Sequence, residues 1–310
     1  AERAGLLYVP VRKAEQNALG GMAHDGALIR PYPGMFAPIS SWDAMIVAER
    51  HLRVMRTLAR MHPDWVFCGP SAALALGFDV PNSCIRRLHL MCSSEASRRS
   101  TKSVMWHHLR GEKAMVVRGM RVSSVEQTVV DCMRWLDFPR ALAIADSALR
   151  VCAKDQDWLL ACCRAVDRRT HGLRQAKLVA AYADARAESG GESIARAAMI
   201  EEGFSLPTLQ AEIPDPLSGA PRRVDFLWTL ADGQRVLGEF DGREKYRNPR
   251  MTRGKDAVNV LADEEVLDEN GKVDPTKLNA FVFDQFQNGY YSIGEKVGQA
   301  WHAGTGLMRK

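Results

Sequence analysis

Three carboxylates, Asp225, Glu239 and Asp241, lie close together between Arg222 and Tyr246. Val224, Phe226 and Trp228 alternate with polar or smaller residues, which predicts a strand. Ala231-Asp232-Gly233 predicts a turn, and Val236 to Phe240 the returning strand. Residues two apart on a strand share a face, so Glu239 and Asp241 are expected to point the same way. Acids converging on one end of a hairpin repel each other unless protons or a cation intervene. A hard divalent cation, magnesium or manganese, is the natural counter-charge, because it takes oxygen ligands from one or two carboxylates plus water and phosphate. On spacing alone, a solvated hairpin with ordinary surface acids fits equally well. Trp228, Phe240, Val224 and Leu237 are expected in the core of this region.

V-D-F at Asp225, then E-F-D-G-R-E-K-Y after one turn, resembles the core of the PD-(D/E)XK restriction-endonuclease-like superfamily. It is most similar to the branch that includes very-short-patch-repair endonucleases. The resemblance covers roughly residues 190–260. It implies a metal-dependent nuclease in which Asp225 and Glu239 hold the cation. In that branch an acid on a preceding helix joins the cluster, and Glu192 in G-G-E-S matches it. The superfamily usually has Lys two residues after the Glu. Here that position is Asp241, and Lys245 is expected to supply the positive charge instead. The catalytic set implied is therefore Glu192, Asp225, Glu239, Asp241 and Lys245. Arg243, Arg247, Arg250 and Arg253 follow closely. They suit a DNA backbone passing the site, and equally suit screening of the acids.

The elements that must carry these residues belong to a chain of 310 residues, long enough for two or three domains with real cores. With 46% hydrophobic and 25% charged residues the composition is that of a folded chain, which excludes a disordered one. No run approaches a membrane span, and no signal segment is recognised at the start. Seven cysteines without a C-x-x-C pair read as reduced core residues of a cytoplasmic protein, and no Cys/His set has zinc-ligand spacing. Charge is uneven. Residues 1–190 hold 27 Lys+Arg against 18 Asp+Glu, and the rest of the chain holds 15 against 19. A basic front half suggests a polyanionic partner, most simply DNA, although scattered solvated arginines would give the same balance.

In the front half, Arg12 to His24 predicts a helix, followed by a strand, the turn Pro31-Tyr32-Pro33-Gly34 and a second strand. That order is the tail of a winged helix-turn-helix, with Arg30 on the wing in reach of a phosphate. A plain packing hairpin is the alternative. Ser41 is expected to cap a helix from Trp42 to Met61, and Ser71 to cap a short small-residue helix rather than act as a nucleophile. Strands are expected over Ile85–Met91 and Val104–Leu109. Neighbours His107 and His108 face opposite ways, which does not easily suit one metal, and they read as surface or core polar groups. Helices follow from Val125, from Pro139 to Arg150, from Asp155 to Asp167 and from Gln175 to Glu188. Asp131 and Asp146 within them read as hydrogen-bonded structural acids. The motifs W-V-F-C-G-P-S-A-A-L-A-L-G-F, R-V-S-S-V-E-Q-T-V-V-D-C and A-L-A-I-A-D-S-A-L resemble the AbiEi family of type IV toxin–antitoxin antitoxins. In that family a winged helix binds promoter DNA and the domain behind it is the antitoxin part.

Ser189-Gly190-Gly191 reads as a C-cap and linker, which puts a domain boundary there. Glu192 then opens a helix to Glu201. Near the end, Asp263 to Gly271 is acidic, Leu278–Phe283 is expected as a last strand and Tyr290–Trp301 as a final helix. The expectation is an α/β protein: a winged-helix-like segment over 1–40, an AbiEi-like α/β domain over 41–189 and a restriction-endonuclease-like domain over 190–310. Three functions follow: a magnesium-dependent endonuclease of a defence or toxin–antitoxin system; an antitoxin or regulator whose nuclease fold only binds; or a protein-interaction adaptor for a cognate toxin or defence protein.

Overall fold

A computed structural model describes residues 5–92, 99–108, 114–214, 219–230, 233–240 and 290–292. The chain is mixed α/β and divides into two units, Ala1–Ala185 and Arg186–Lys310. Among the described residues no helix is long and apolar enough to cross a membrane.

The first unit opens with α1 (Lys13–His24) and the antiparallel hairpin β1 (Leu28–Tyr32) and β2 (Met35–Pro38). Arg30 is exposed on β1. None of the residues of α1 is buried. The helix expected from Trp42 to Met61 is two helices, α2 (Ile39–Asp43) and α3 (Val47–Met61). Arg50 explains the break. Its Nε donates to Trp42 O at 2.9 Å and its Nη2 to Asp43 O at 3.1 Å, which satisfies the carbonyls that α2 leaves free. Ser41 therefore lies inside α2 and caps nothing. α4 (Gly69–Leu76) has Cys68 as its N-cap, so Ser71 is not its cap either. Gly69 has φ +49°, and a Cβ there would stand 2.6 Å from the Trp135 ring, so a side chain is excluded on both counts.

Residues 82–85 form a 3₁₀ turn, so the strand expected from Ile85 begins only at Leu88. β3 (Leu88–Cys92) and β4 (Val104–His108) are parallel, and β5 (Ala114–Val117) and β6 (Met120–Ser123) antiparallel. Phe67 joins the two pairs, bridging Leu90 on one side and Val122 on the other. Met55, Phe67, Leu90, Met120 and Val122 are wholly buried around this junction. Helices α5 (Val125–Trp135), α6 (Phe138–Cys152), α7 (Gln156–Ala165) and α8 (Leu173–Tyr182) complete the unit. Ser124, Asp137 and Asp155 cap three of them. Asp131 accepts from Gln127 Nε2 and Arg134 Nε at 2.9 and 2.8 Å. Asp146 accepts from the Asp184 amide at 2.8 Å, which holds the chain extended after α8. The helix expected to run to Glu188 ends at Tyr182 for that reason.

A polar chain runs through this core. Ser71 Oγ accepts from the His89 amide at 3.0 Å, leaving its hydroxyl hydrogen for His51 Nε2 at 3.1 Å. His89 Nδ1 lies 3.0 Å from His107 Nε2, and His107 stacks on Trp135. Burial, above all, depresses all three histidines: His51 and His89 to about 4, and His107 to about 3. The charges of neighbouring groups act the same way. The unfolded chain takes up these protons near the ordinary histidine value of about 6.5, while the folded chain does not. Stability from this source is therefore complete above about pH 6.5 and is lost as pH falls toward 4. The melting temperature at about pH 4.5 should lie at least about 5 °C below that at pH 7, since roughly 2 kcal/mol suffices in a unit of this size. A flat profile across that window would contradict three half-buried histidines kept neutral by the fold.

The second unit holds α9 (Gly190–Glu201), β7 (Thr208–Pro214), β8 (Pro221–Thr229), β9 (Arg235–Gly238) and β10 (Tyr290–Ser292). The sheet order is β10-β9-β8-β7, with the first pair parallel and the others antiparallel. Tyr290–Ser292 is thus a strand and not the start of a helix, while Leu278–Phe283 lies outside the described residues. Trp228, Phe226, Leu209 and Val236 form one cluster, with Ala195 and Met199 of α9 packed on it. Ile213, Val224 and Leu237 form a second.

Candidate functional site

Ser189 is the N-cap of α9, not the end of the helix before it. Ser189 Oγ accepts the Glu192 amide at 3.2 Å and donates to Glu192 Oε1 at 2.8 Å. This reciprocal pair explains why Ser-Gly-Gly-Glu starts a helix here, although the glycines alone read as a stop. Glu192 Oε2 accepts the Glu188 amide at 2.8 Å. Glu192 is 9% exposed, so its carboxylate is fixed on both oxygens in a nearly dry place.

Asp225 comes to the same place from β8. Val224, Phe226 and Trp228 are buried and Asp225 half-buried between them. Phe226 lies opposite Gly238 in the β8–β9 register. One step further, Asp225 Oδ2 accepts the Phe240 amide at 2.8 Å, which sets it beside the end of β9 where Glu239 stands. Glu239 is exposed just past that strand. Phe240 is 41% exposed, so it does not share the Trp228 core. Its ring lies over the first turn of α9 instead: a Cβ at Gly191 would stand 2.3 Å from Phe240 Cε1, and only glycine leaves room.

Gln210 of β7 joins the two acids. Leu209 pairs with Phe226 and Ala211 with Val224, which sets Gln210 across from Asp225. Its Nε2 donates to Glu192 Oε2 at 3.1 Å and to Asp225 Oδ1 at 3.1 Å. Gln210 has φ +52°, in the left-handed region that L residues avoid. The reading of the sequence missed this residue. Its one visible signal is its place between Leu209 and Ala211, on the polar side of an alternating run.

Of the five expected catalytic residues, Glu192 and Asp225 therefore meet on one amide, and Glu239 is next to Asp225's partner in the chain. Asp241 and Lys245 lie outside the described residues, as do Arg243, Arg247, Arg250 and Arg253. Among the described residues no group of three or more His, Cys, Asp or Glu could hold a metal. The pair Glu192–Asp225 does offer hard oxygens, the donor type that magnesium and manganese take.

No protein-family model matches the chain. The uncharacterized proteins Rv2248 and MT2308, from two strains of Mycobacterium tuberculosis, are each 34% identical to it over 193 residues, covering 61% of this chain and 68% of the relative. Among solved structures, the RV2827C protein from Mycobacterium tuberculosis matches 66% of this chain and 78% of its own, at 14% identity and a TM-score of 0.33. A likeness that low carries no argument about the site.

Proposed function

This chain belongs to the same family as the Mycobacterium tuberculosis protein Rv2248, and for its C-terminal unit we propose metal-dependent hydrolysis of phosphodiesters in DNA. One observation carries the reading. Glu192 and Asp225 come from different elements and meet on a single amide, beside the strand end that leads to Glu239. Two carboxylates that share one amide repel each other, and a cation would relieve that repulsion. When bound, a divalent cation supplies charge relief on the phosphate and a more acidic water.

The chain's own groups have separable tasks in this reading. Asp225 and Glu239 would hold the cation, and the Phe240 amide fixes the Asp225 carboxylate beside the end of β9. Glu192, locked by Ser189 and the Glu188 amide, would stand beside Asp225 on the shared Gln210 amide. Asp241 completes the acid set, and Lys245 neutralises charge that develops on the phosphate. The finer architecture belongs to the same proposal: a winged-helix-like segment, an AbiEi-like middle domain and a restriction-endonuclease-like C-terminal domain. A cytoplasmic defence or toxin–antitoxin setting follows from those likenesses. The test is cleavage of plasmid or oligonucleotide DNA by the full chain with magnesium or manganese. Cleavage that persists equally in chelator would sink the metal-dependent reading.

A second reading has its own support. Both oxygens of Glu192 and of Asp225 already accept hydrogen bonds, and among the described residues no third acid joins them. A regulator or antitoxin that binds DNA without cutting it would need nothing more. In both readings the basic front half, with exposed Arg30 on its hairpin, meets DNA phosphates. Affinity of the full chain for duplex DNA should then fall at least about tenfold between roughly 50 and 200 mM salt, because several counterions are released. Absence of binding at the lower salt would leave the protein-interaction adaptor as the better account.

A further inference from the structure

We propose that the cavity between α1, the β1–β2 hairpin and α3 is a binding site for a small organic acid, one carboxylate on an apolar body. Alternation along the chain builds it. Leu7 is buried in the main core, so Leu6 and Tyr8 on either side of it face the other way. Tyr8 and Phe36 exchange backbone hydrogen bonds at 2.9 Å, which lays this segment along β2. Within β2, Met35 and Ala37 belong to the same core, while Phe36, 2% exposed, lines the cavity. Leu28 of β1 and Leu19 of α1 close further sides. None of the residues of α1 is buried, so that helix does not fill the space. The cavity measures about 310 Å³. At the ~30 Å³ that a water takes in the liquid, it has room for about ten waters, or for an organic acid of about a dozen non-hydrogen atoms. That size and a mostly apolar lining are those of small-molecule sites.

Arg53 sets the chemistry of the occupant. It lines the same cavity from α3. Its Nε–H is buried with no acceptor in hydrogen-bond reach, a costly state for a charged donor. Glu49 does not relieve it. Glu49 Oε1 stands 3.7 Å from Arg53 Nε and 3.8 Å from Arg56 Nη1, beyond hydrogen-bond length to both, so one carboxylate serves two guanidiniums. Glu15 of α1 is already engaged by the Tyr8 hydroxyl and the Val11 amide. A guanidinium with a donor to spare calls for an anionic acceptor, and its planar fork matches a carboxylate. The apolar walls match a hydrocarbon body. They disfavour a phosphate, whose further oxygens would meet hydrocarbon.

Decanoate, an ionised acid of this size, is the probe, titrated calorimetrically into the full-length protein at neutral pH. Methyl resonances of Leu19 and Leu28 should shift as it binds. Decanol, with the same body and no charge, should bind at least about tenfold more weakly, because hydrogen bonds to a charged group are worth that much. Arg53→Met, which keeps the stem and loses the guanidinium, should weaken decanoate at least about tenfold and leave decanol unchanged. Leu19→Trp, on a helix with no buried residue, should keep the fold, fill the cavity and weaken both ligands. No decanoate binding below its micelle-forming concentration would overturn the proposal. So would equal decanoate affinity in folded Arg53→Met, or binding that neither moves the Leu19 and Leu28 resonances nor responds to Leu19→Trp. Decanol binding as tightly as decanoate to the unaltered protein would overturn the carboxylate by itself, whether or not Arg53→Met folds.

Discussion

Asp225→Asn should lower DNA cleavage by at least about 10³-fold, the scale seen when one member of a catalytic set is removed. Asp225 lies half-buried on β8, with Oδ1 receiving Gln210 Nε2 and Oδ2 receiving the Phe240 amide. Asparagine fits the same space but offers one oxygen and one N–H₂ in place of two acceptors. One of the two donors then faces another donor, and the charge that attracts a cation is gone. The fold should survive, because losing one such hydrogen bond costs about 1–3 kcal/mol. Glu239→Gln should also stop cleavage, with a smaller effect on stability, since Glu239 is exposed. Cleavage at the unaltered rate by folded Asp225→Asn protein would show that the activity belongs elsewhere.

Trp228→Ala should cost about 3–5 kcal/mol, as other large-to-small core changes do. Trp228 is 3% exposed and packs with Leu209, Phe226 and Val236, beneath Ala195 and Met199 of α9. Its Nε1 donates to Ser205 O at 2.8 Å, so truncation also strands that carbonyl. A loss of this size is a large part of the roughly 5–15 kcal/mol that holds a domain together. The same cluster seats α9 on the sheet that carries Asp225, so the substitution should also loosen Glu192 from Gln210. Urea unfolding followed by fluorescence measures it. A loss under about 1 kcal/mol, the scale of a surface change, would mean that Trp228 does not bear on the core.

The strand carrying Asp225 was legible because local pattern and burial agree: Val224, Phe226 and Trp228 alternate in sequence and are buried in the fold. Most helices were legible for the same reason, with errors where a long-range hydrogen bond decides the end. Arg50 splits the helix after Trp42, and Asp146 stops α8 before Asp184. Ser189 was misread because two glycines outweighed the Ser-x-x-Glu pattern of a capping box, which was present in the sequence. Ser71 was given a local role, yet its partners are His51 and His89, about 20 residues away on other elements. The meeting of His89 with His107 depends on a parallel pairing that no local pattern announces. At the candidate site the acids were legible as types and spacings. Gln210 was not, because a left-handed glutamine opposite Asp225 is a consequence of the sheet and of Glu192 together.

The central claim is that Glu192, Asp225 and the residues after β9 gather around a divalent cation. Anomalous diffraction from crystals of the full chain soaked in manganese tests it most directly. The expected result is a peak roughly 2–2.3 Å from oxygens of Asp225 and Glu239. No peak at this place, with Gln210 Nε2 still joining Glu192 and Asp225, would contradict the claim and favour the regulator that binds DNA without cutting it.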